Sequence, residues 1–284
     1  MHLLGIDSLS KEDIERIFDI ADGVKAGRST ISIKEGAVLA LLFQKGSIST
    51  RVALEVAMSK LGGRSIFLDA SDYKSGQSSL NAIGRTLGSY VDLIAARLCS
   101  HDDLIELAEG SPVPVINAMT NIEHPLSALA DLYTIKEKKK YIKGLKIGMT
   151  GNAELGTFNS LMLGAAKLGA KISIASPEGI SINPIYLVKA REYTIVDTYT
   201  DPSGVEDADV VYVDCFVQDH DETKEKALAS YDISGKAKES QLVVRASPIY
   251  KVGIEDIKSA SIEQMHNRLY IAQAVILFLS ETSM

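Results

Sequence analysis

The chain has 284 residues, 46% of them hydrophobic and 24% charged, with a formal net charge of -7. That length holds one large domain or two medium ones with ample core, and the composition is that of an ordinary globular protein. The acidic balance excludes a general nucleic-acid surface, so a cationic site would be local, and no apolar run reaches the length of a membrane span.

The opening Met1-His2-Leu3-Leu4-Gly5-Ile6-Asp7 lacks a basic n-region, so no signal peptide is expected. Ser10-Lys11-Glu12-Asp13 reads as a capping box that opens a helix through about Lys25. The apolar run from Ala37 to Leu42 predicts a buried parallel strand over residues 38–43. Further strands are predicted at 65–68, 93–97 and 113–116, with helices near 50–61, 80–90 and 102–109 between them. A long helix follows His124-Pro125 and ends in Lys136-Glu137-Lys138-Lys139-Lys140, a solvated helix end that marks a domain boundary. A second alternating set has strands near 145–150, 171–175, 194–197, 209–214 and 241–245. The last helix, about 262–280, carries a long apolar run and is expected to cross back to the first domain. The pattern predicts an α/β fold of two doubly wound parallel-sheet domains with a cleft between them. The first domain would span 1–140 plus the helix 262–284, and the second 141–261. Cys99 and Cys215 lie far apart, which suggests reduced thiols and a cytoplasmic protein.

One stretch stands out: Phe43-Gln44-Lys45-Gly46-Ser47-Ile48-Ser49-Thr50-Arg51, between a strand and a helix. Free backbone N–H groups and the positive end of a helix dipole point at whatever sits there, and the hydroxyls add donors. This reads as an anion-binding turn, though it lacks the P-loop spacing. Ligands of such sheets collect beyond the carboxyl ends of the strands, where residues 74–79, Arg97 and His124 also fall. In the second domain the same level holds residues 151–160, Asp214 and 245–248. Taken singly, each has a plainer reading. Arg97 can pair with a surface carboxylate, His124 can cap the helix that follows it, and Asp214 can shape a turn. The stretch from Gly151 to Gly156 lacks GxGxxG, and no acidic residue closes the next strand at Ile174-Ala175-Ser176-Pro177, which argues against a dinucleotide site.

Order and spacing change the weight of these residues. Ser47-Ile48-Ser49-Thr50-Arg51 with Glu55 and Leu61-Gly62-Gly63 stands where the aspartate/ornithine carbamoyltransferase family has STRTR, a helix and LGG. Tyr90-Val91-Asp92-Leu93-Ile94-Ala95-Ala96-Arg97 resembles the family strand that ends in Arg, and Pro114-Val115-Ile116-Asn117 with His124-Pro125-Leu126-Ser127-Ala128-Leu129-Ala130-Asp131 resembles PVIN…HPxQxLxD. The chain resembles this family over nearly its whole length. Asn159-Ser160-Leu161-Met162, the strand ending Val213-Asp214-Cys215 and Asn267-Arg268-Leu269 lean toward the ornithine branch; Thr157 and Cys215 stand where the aspartate branch has arginines.

The resemblance implies transfer of a carbamoyl group from carbamoyl phosphate to an ornithine-like amino acid, giving citrulline or an analogue, in arginine biosynthesis. It implies that Ser47, Ile48, Ser49, Thr50, Arg51 and Ser127 bind carbamoyl phosphate, and that Arg97, His124 and Arg268 polarise its carbonyl. Asn159, Asp214 and Gln218 would position the amino acid. It implies no metal or organic cofactor, no nucleic-acid or membrane partner, and a homotrimer or a multiple of it. In that trimer a neighbour's loop, corresponding to residues 74–82, would complete the site. The chain departs from the family's pattern at several places. Ser49 replaces the middle Arg of STRTR, Ser127 replaces the Gln of HPxQ, Arg245-Ala246-Ser247-Pro248 stands for HCLP, and Gln218-Asp219-His220 stands for SMG. Arg245 or Lys74 is the expected source of the lost cation. Two readings stay open on this ground: a working transferase, and a non-catalytic relative that keeps the fold and an anion site.

Overall fold

The computed structural model describes residues 1–71, 79–217, 221–233, 235, 237–246 and 260–281. It divides into two compact units, Met1–Leu126 with Arg268–Met284, and Ser127–Asn267.

The first unit opens with helix α1 (Lys11–Lys25), which starts where its caps dictate. Ser10 Oγ accepts from Asp13 N at 3.0 Å and Asp13 Oδ2 accepts from Ser10 N at 2.8 Å, satisfying two donors that a helix start leaves open. Strands β1 (Val38–Phe43), β2 (Arg64–Asp69), β3 (Leu93–Arg97) and β4 (Val115–Asn117) form a parallel sheet in the order β2-β1-β3-β4. β1 and β3 are central and almost wholly buried, which explains their unbroken apolar runs. Helices α2 (Ile48–Lys60), α3 (Leu80–Gly88) and α4 (His101–Gly110) connect them.

Most strand and helix ends shift by one or two residues from the sequence reading, and two of these shifts bear on the site. β4 begins at Val115 rather than at 113, because Pro112 and Pro114 flank that position and neither has an N–H for a ladder. The free edge of β4 is taken by the start of the chain: Leu3 N donates to Val115 O and Asn117 N to Leu3 O, both at 2.8 Å. α2 begins at Ile48 rather than at 50. Ser47 is its N-cap and accepts from Thr50 N at 3.4 Å, so the expected turn over 47–51 is the cap and first turn of a helix.

The second unit carries β5 (Lys146–Gly151), β6 (Lys171–Ala175), β7 (Val196–Tyr199), β8 (Val210–Asp214) and β9 (Leu242–Arg245), all parallel, in the order β7-β6-β5-β8-β9. Helix α5 (Pro125–Lys139) leads into it, and α6 (Gly156–Lys167), α7 (Pro184–Arg191) and α8 (Glu222–Ala229) connect its strands. Helix α9 (Ser261–Glu281) starts in this unit, and from Arg268 onward its residues belong to the first. Buried amides tie the start of α9 to α5: Gln264 Nε2 donates to Asp131 Oδ1 at 2.6 Å, and Asn267 Nδ2 donates to Thr134 Oγ1 at 3.0 Å. Among the described residues no helix is long and apolar enough to cross a membrane.

Candidate active site

In a doubly wound sheet the crevice opens where neighbouring strands send their connections in opposite directions. In the first unit that place is between β1 and β3, since β1 pairs β2 on one side and β3 on the other. The last partners across it are Phe43 and Arg97. Gln44 N donates to Arg97 O at 2.9 Å, and Gln44 Oε1 accepts from Cys99 N at 2.7 Å, so the approach to α2 and the end of β3 are fixed side by side.

The first turn of α2 carries no carboxylate, leaving its positive end uncompensated for an anion. Ser47 and Ser49 are half-buried there, Ile48 points to solvent and Thr50 is buried. Arg51 is held in place twice. Its Nε donates to Glu55 Oε1 at 2.9 Å, and its guanidinium lies 3.6 Å from the ring centre of Phe67 on β2.

His124 precedes α5 and is buried, 7% exposed. Burial, then the nearby guanidiniums of Arg97 and Arg268, hold its pKa well below 6.5, so the imidazole is neutral at physiological pH. The structure therefore brings together three residues that lie far apart in sequence. The loop leading to His124 is under tension: Met119 has a φ of 126°, in the left-handed region. Its N–H donates to Asn117 Oδ1 at 2.8 Å and its carbonyl accepts from Leu98 N at 3.1 Å, which holds it there.

In the second unit the equivalent place lies between β5 and β8, where Gly151 pairs with Asp214. Asn152 N donates to Asp214 O at 2.6 Å. A Cβ on Gly151 would lie 2.1 Å from Asp214 O, and φ there is +118°, so only glycine fits. Asp214 is 3% exposed. Thr157 Oγ1, in the first turn of α6, donates to its Oδ2 at 2.5 Å, and Phe216 N donates to its Oδ1 at 3.4 Å. Burial pushes the Asp214 pKa up to about 6 against the pull of those two bonds. Asn159 lies two residues beyond Thr157 on α6 and is buried.

The other expected residues fall as follows. Ser127 is buried in the first turn of α5. Arg245 ends β9 and forms an ion pair with Asp232 inside the second unit, Nη1 lying 3.4 Å from both carboxylate oxygens. Gln218, Lys74, Ser247 and Pro248 lie outside the described residues. The sequence marks Thr157 only as a place where the aspartate branch has an arginine. Its hydroxyl in the turn after a glycine-rich strand end, facing a strand that ends in Asp, was the signal available. Cys99 and Cys215 are both free thiols.

Comparison with known proteins agrees with this layout. Residues 1–137 match the domain described as aspartate/ornithine carbamoyltransferase, carbamoyl-P binding domain, and residues 143–279 match the Asp/Orn binding domain of the same family. The chain is 35% identical to the ornithine carbamoyltransferase of Picrophilus torridus, over 94% of this chain and 95% of that protein. It is 34% identical to that of Methanocaldococcus jannaschii, over 99% of each. The solved structure of ornithine carbamoyltransferase from Pyrococcus furiosus superposes with a TM-score of 0.90 at 32% identity, covering 99% of this chain and 97% of that one.

Proposed function

Because the chain belongs to the aspartate/ornithine carbamoyltransferase family, we propose that it transfers the carbamoyl group of carbamoyl phosphate to the side-chain amine of ornithine, giving citrulline and phosphate. The observation that carries this reading is the neutral, buried His124 beside Arg97 and Arg268. A carbonyl attacked by an amine gathers negative charge on its oxygen. Two guanidiniums and a neutral imidazole supply donors for that charge that are already in position. Burial disfavours an imidazolium and both arginines would repel it, so its neutrality follows from its burial first and its company second.

The leaving phosphate belongs at α2. The cap at Ser47, the open N–H groups of the first turn, the Ser49 and Thr50 hydroxyls and the restrained Arg51 form a cradle for an anion. In the second unit Asp214, ionised above about pH 6, receives an ammonium group of the amino acid, with Asn159 adding an amide. The attacking amine is neutral. Its lone pair forms the new C–N bond as the C–O bond to phosphate breaks, and the proton it sheds leaves with phosphate or water. Positioning both reactants supplies most of the acceleration in such a scheme.

The assembly is read as a homotrimer or a multiple of it. Ile48, Val52 and Val56 lie four residues apart on one face of α2 and are 84%, 50% and 37% exposed, and Ile66 on the edge strand β2 is 40% exposed. A row of apolar side chains next to a polar site is the kind of surface a second copy covers. The deciding experiment is citrulline formation from ornithine and carbamoyl phosphate by the purified protein. Stoichiometric citrulline and phosphate are expected, and loss of product on His124→Ala. A protein that binds phosphate yet makes no citrulline from ornithine and carbamoyl phosphate refutes the reading.

A further inference from the structure

The residue before His124 is a glutamate that this scheme does not use, and it is among the most deeply buried acidic residues of those described, 1% exposed. A carboxylate removed from water is tolerated only where bonds replace the lost hydration. One of those bonds spans 117 residues of sequence: Glu123 Oε2 accepts from Ile6 N at 2.9 Å. The room for it comes from Gly5, where a Cβ would lie 2.2 Å from Glu123 Oε1.

The bond is one strut of a frame. Leu3 pairs with the edge of β4, and Asn117 Nδ2 donates to Leu4 O at 2.7 Å. The loop between them is closed on itself, with Thr120 N donating to Glu123 O at 2.9 Å and Glu123 N to Thr120 Oγ1 at 3.2 Å. His101 Nδ1 lies 3.0 Å from the same hydroxyl. On the far side Leu98 N, next to Arg97, donates to Met119 O. The strained backbone at Met119 persists because this frame determines it from both sides.

We propose that Glu123 is a positioning residue for His124: through its bond to the segment around Gly5 and Ile6 it fixes the loop so that the imidazole stays beside Arg97 and Arg268. The inference rests on the functional reading above and deepens it, because it makes the first residues of the chain part of the apparatus that polarises the carbonyl. A misplacement near 1 Å costs on the order of a hundredfold in rate, so even partial release of the loop is measurable.

The test uses the full chain as wild type, Glu123→Ala, Glu123→Gln and Gly5→Ala, with a melting curve for each so that kinetics are read only on folded protein. Glu123→Ala and Gly5→Ala are expected to lower kcat about tenfold or more while KM for ornithine changes by less than about twofold. Glu123→Gln keeps an oxygen for Ile6 N–H and is expected to restore kcat to within about threefold of wild type. A purely structural glutamate would lower the melting temperature and leave kcat of the folded fraction unchanged, and that result overturns the proposal. So does a Gln variant as slow as the Ala variant. Histidine-ring NMR reads the position without turnover: the His124 resonances should shift, and titrate at higher pH, in the Ala variants and not in the Gln variant. Wild type without citrulline but with those shifts would sink the functional reading and leave Glu123 in its role. An active wild type with neither effect would sink the inference alone.

Discussion

Asp214 gives the sharpest test, because its environment makes function and stability oppose each other. Its pKa rises from the ordinary 3.8 to about 6 on folding. A shift of roughly two units at about 1.36 kcal/mol each is roughly 3 kcal/mol. The sign follows from which state holds the proton. Below 3.8 both folded and unfolded chains are protonated and there is no penalty. Between 3.8 and about 6 the unfolded chain ionises while the folded one keeps its proton, so stability falls as pH rises, and above about 6 the full penalty persists. Asp214→Asn removes the charge and little else. Its amide oxygen can still accept from Thr157, and the contact given up, from Phe216 N, is long at 3.4 Å. The variant should therefore be more stable than wild type at pH 8 by up to roughly 3 kcal/mol, or about 6–12 °C in Tm for units of this size. The gain should vanish near pH 4. Differential scanning calorimetry of both proteins at pH 4, 6 and 8 checks this, since every other titrating group cancels in the difference. A difference that is flat with pH, or an Asn variant less stable at pH 8, would refute the reasoning. The same variant should bind ornithine at least about tenfold more weakly by calorimetry in phosphate, because a charge-assisted bond is lost.

The remaining predictions concern neighbouring parts. Thr157→Val removes a bond to a buried carboxylate worth about 1.5–3 kcal/mol, so Asp214 should ionise at still higher pH and ornithine binding at pH 7 should weaken about 10–100-fold, with Thr157→Ser close to wild type. Ser49→Arg should raise kcat by about tenfold with KM for carbamoyl phosphate changed less than about threefold, because a cation there acts on the departing phosphate; an unchanged kcat would count against that role. If the proposed trimer uses this row, Val52→Glu, which places a charge within it on α2, should give a species smaller than wild type by light scattering without changing the circular dichroism spectrum.

How much of this was legible depended on how local each signal is. β1 and β3 could be placed to the residue because a strand buried on both faces writes itself as an unbroken apolar run. The start of α2 could not, because Ser47, Ser49 and Thr50 all qualify as caps by type and only the backbone geometry selects Ser47. Arg97 and Asp214 were readable as strand-end residues, and the sheet orders place each at the point where the connections diverge. Glu123 was not readable, since the partner that gives it meaning lies 117 residues away.

Arg51 is tied to Glu55 and stacked on Phe67, and Arg245 is paired with Asp232, so each already has a fixed partner in its own unit. On the proposed reading the anion end relies on the helix N-terminus, hydroxyls and one restrained guanidinium, while the carbonyl end keeps both arginines around His124. Binding of carbamoyl phosphate engages both ends, but expulsion of phosphate draws on the anion end alone. The substitution at Ser49 should therefore appear as a slow chemical step at nearly ordinary affinity, which is the signature of an interaction made mainly in the transition state.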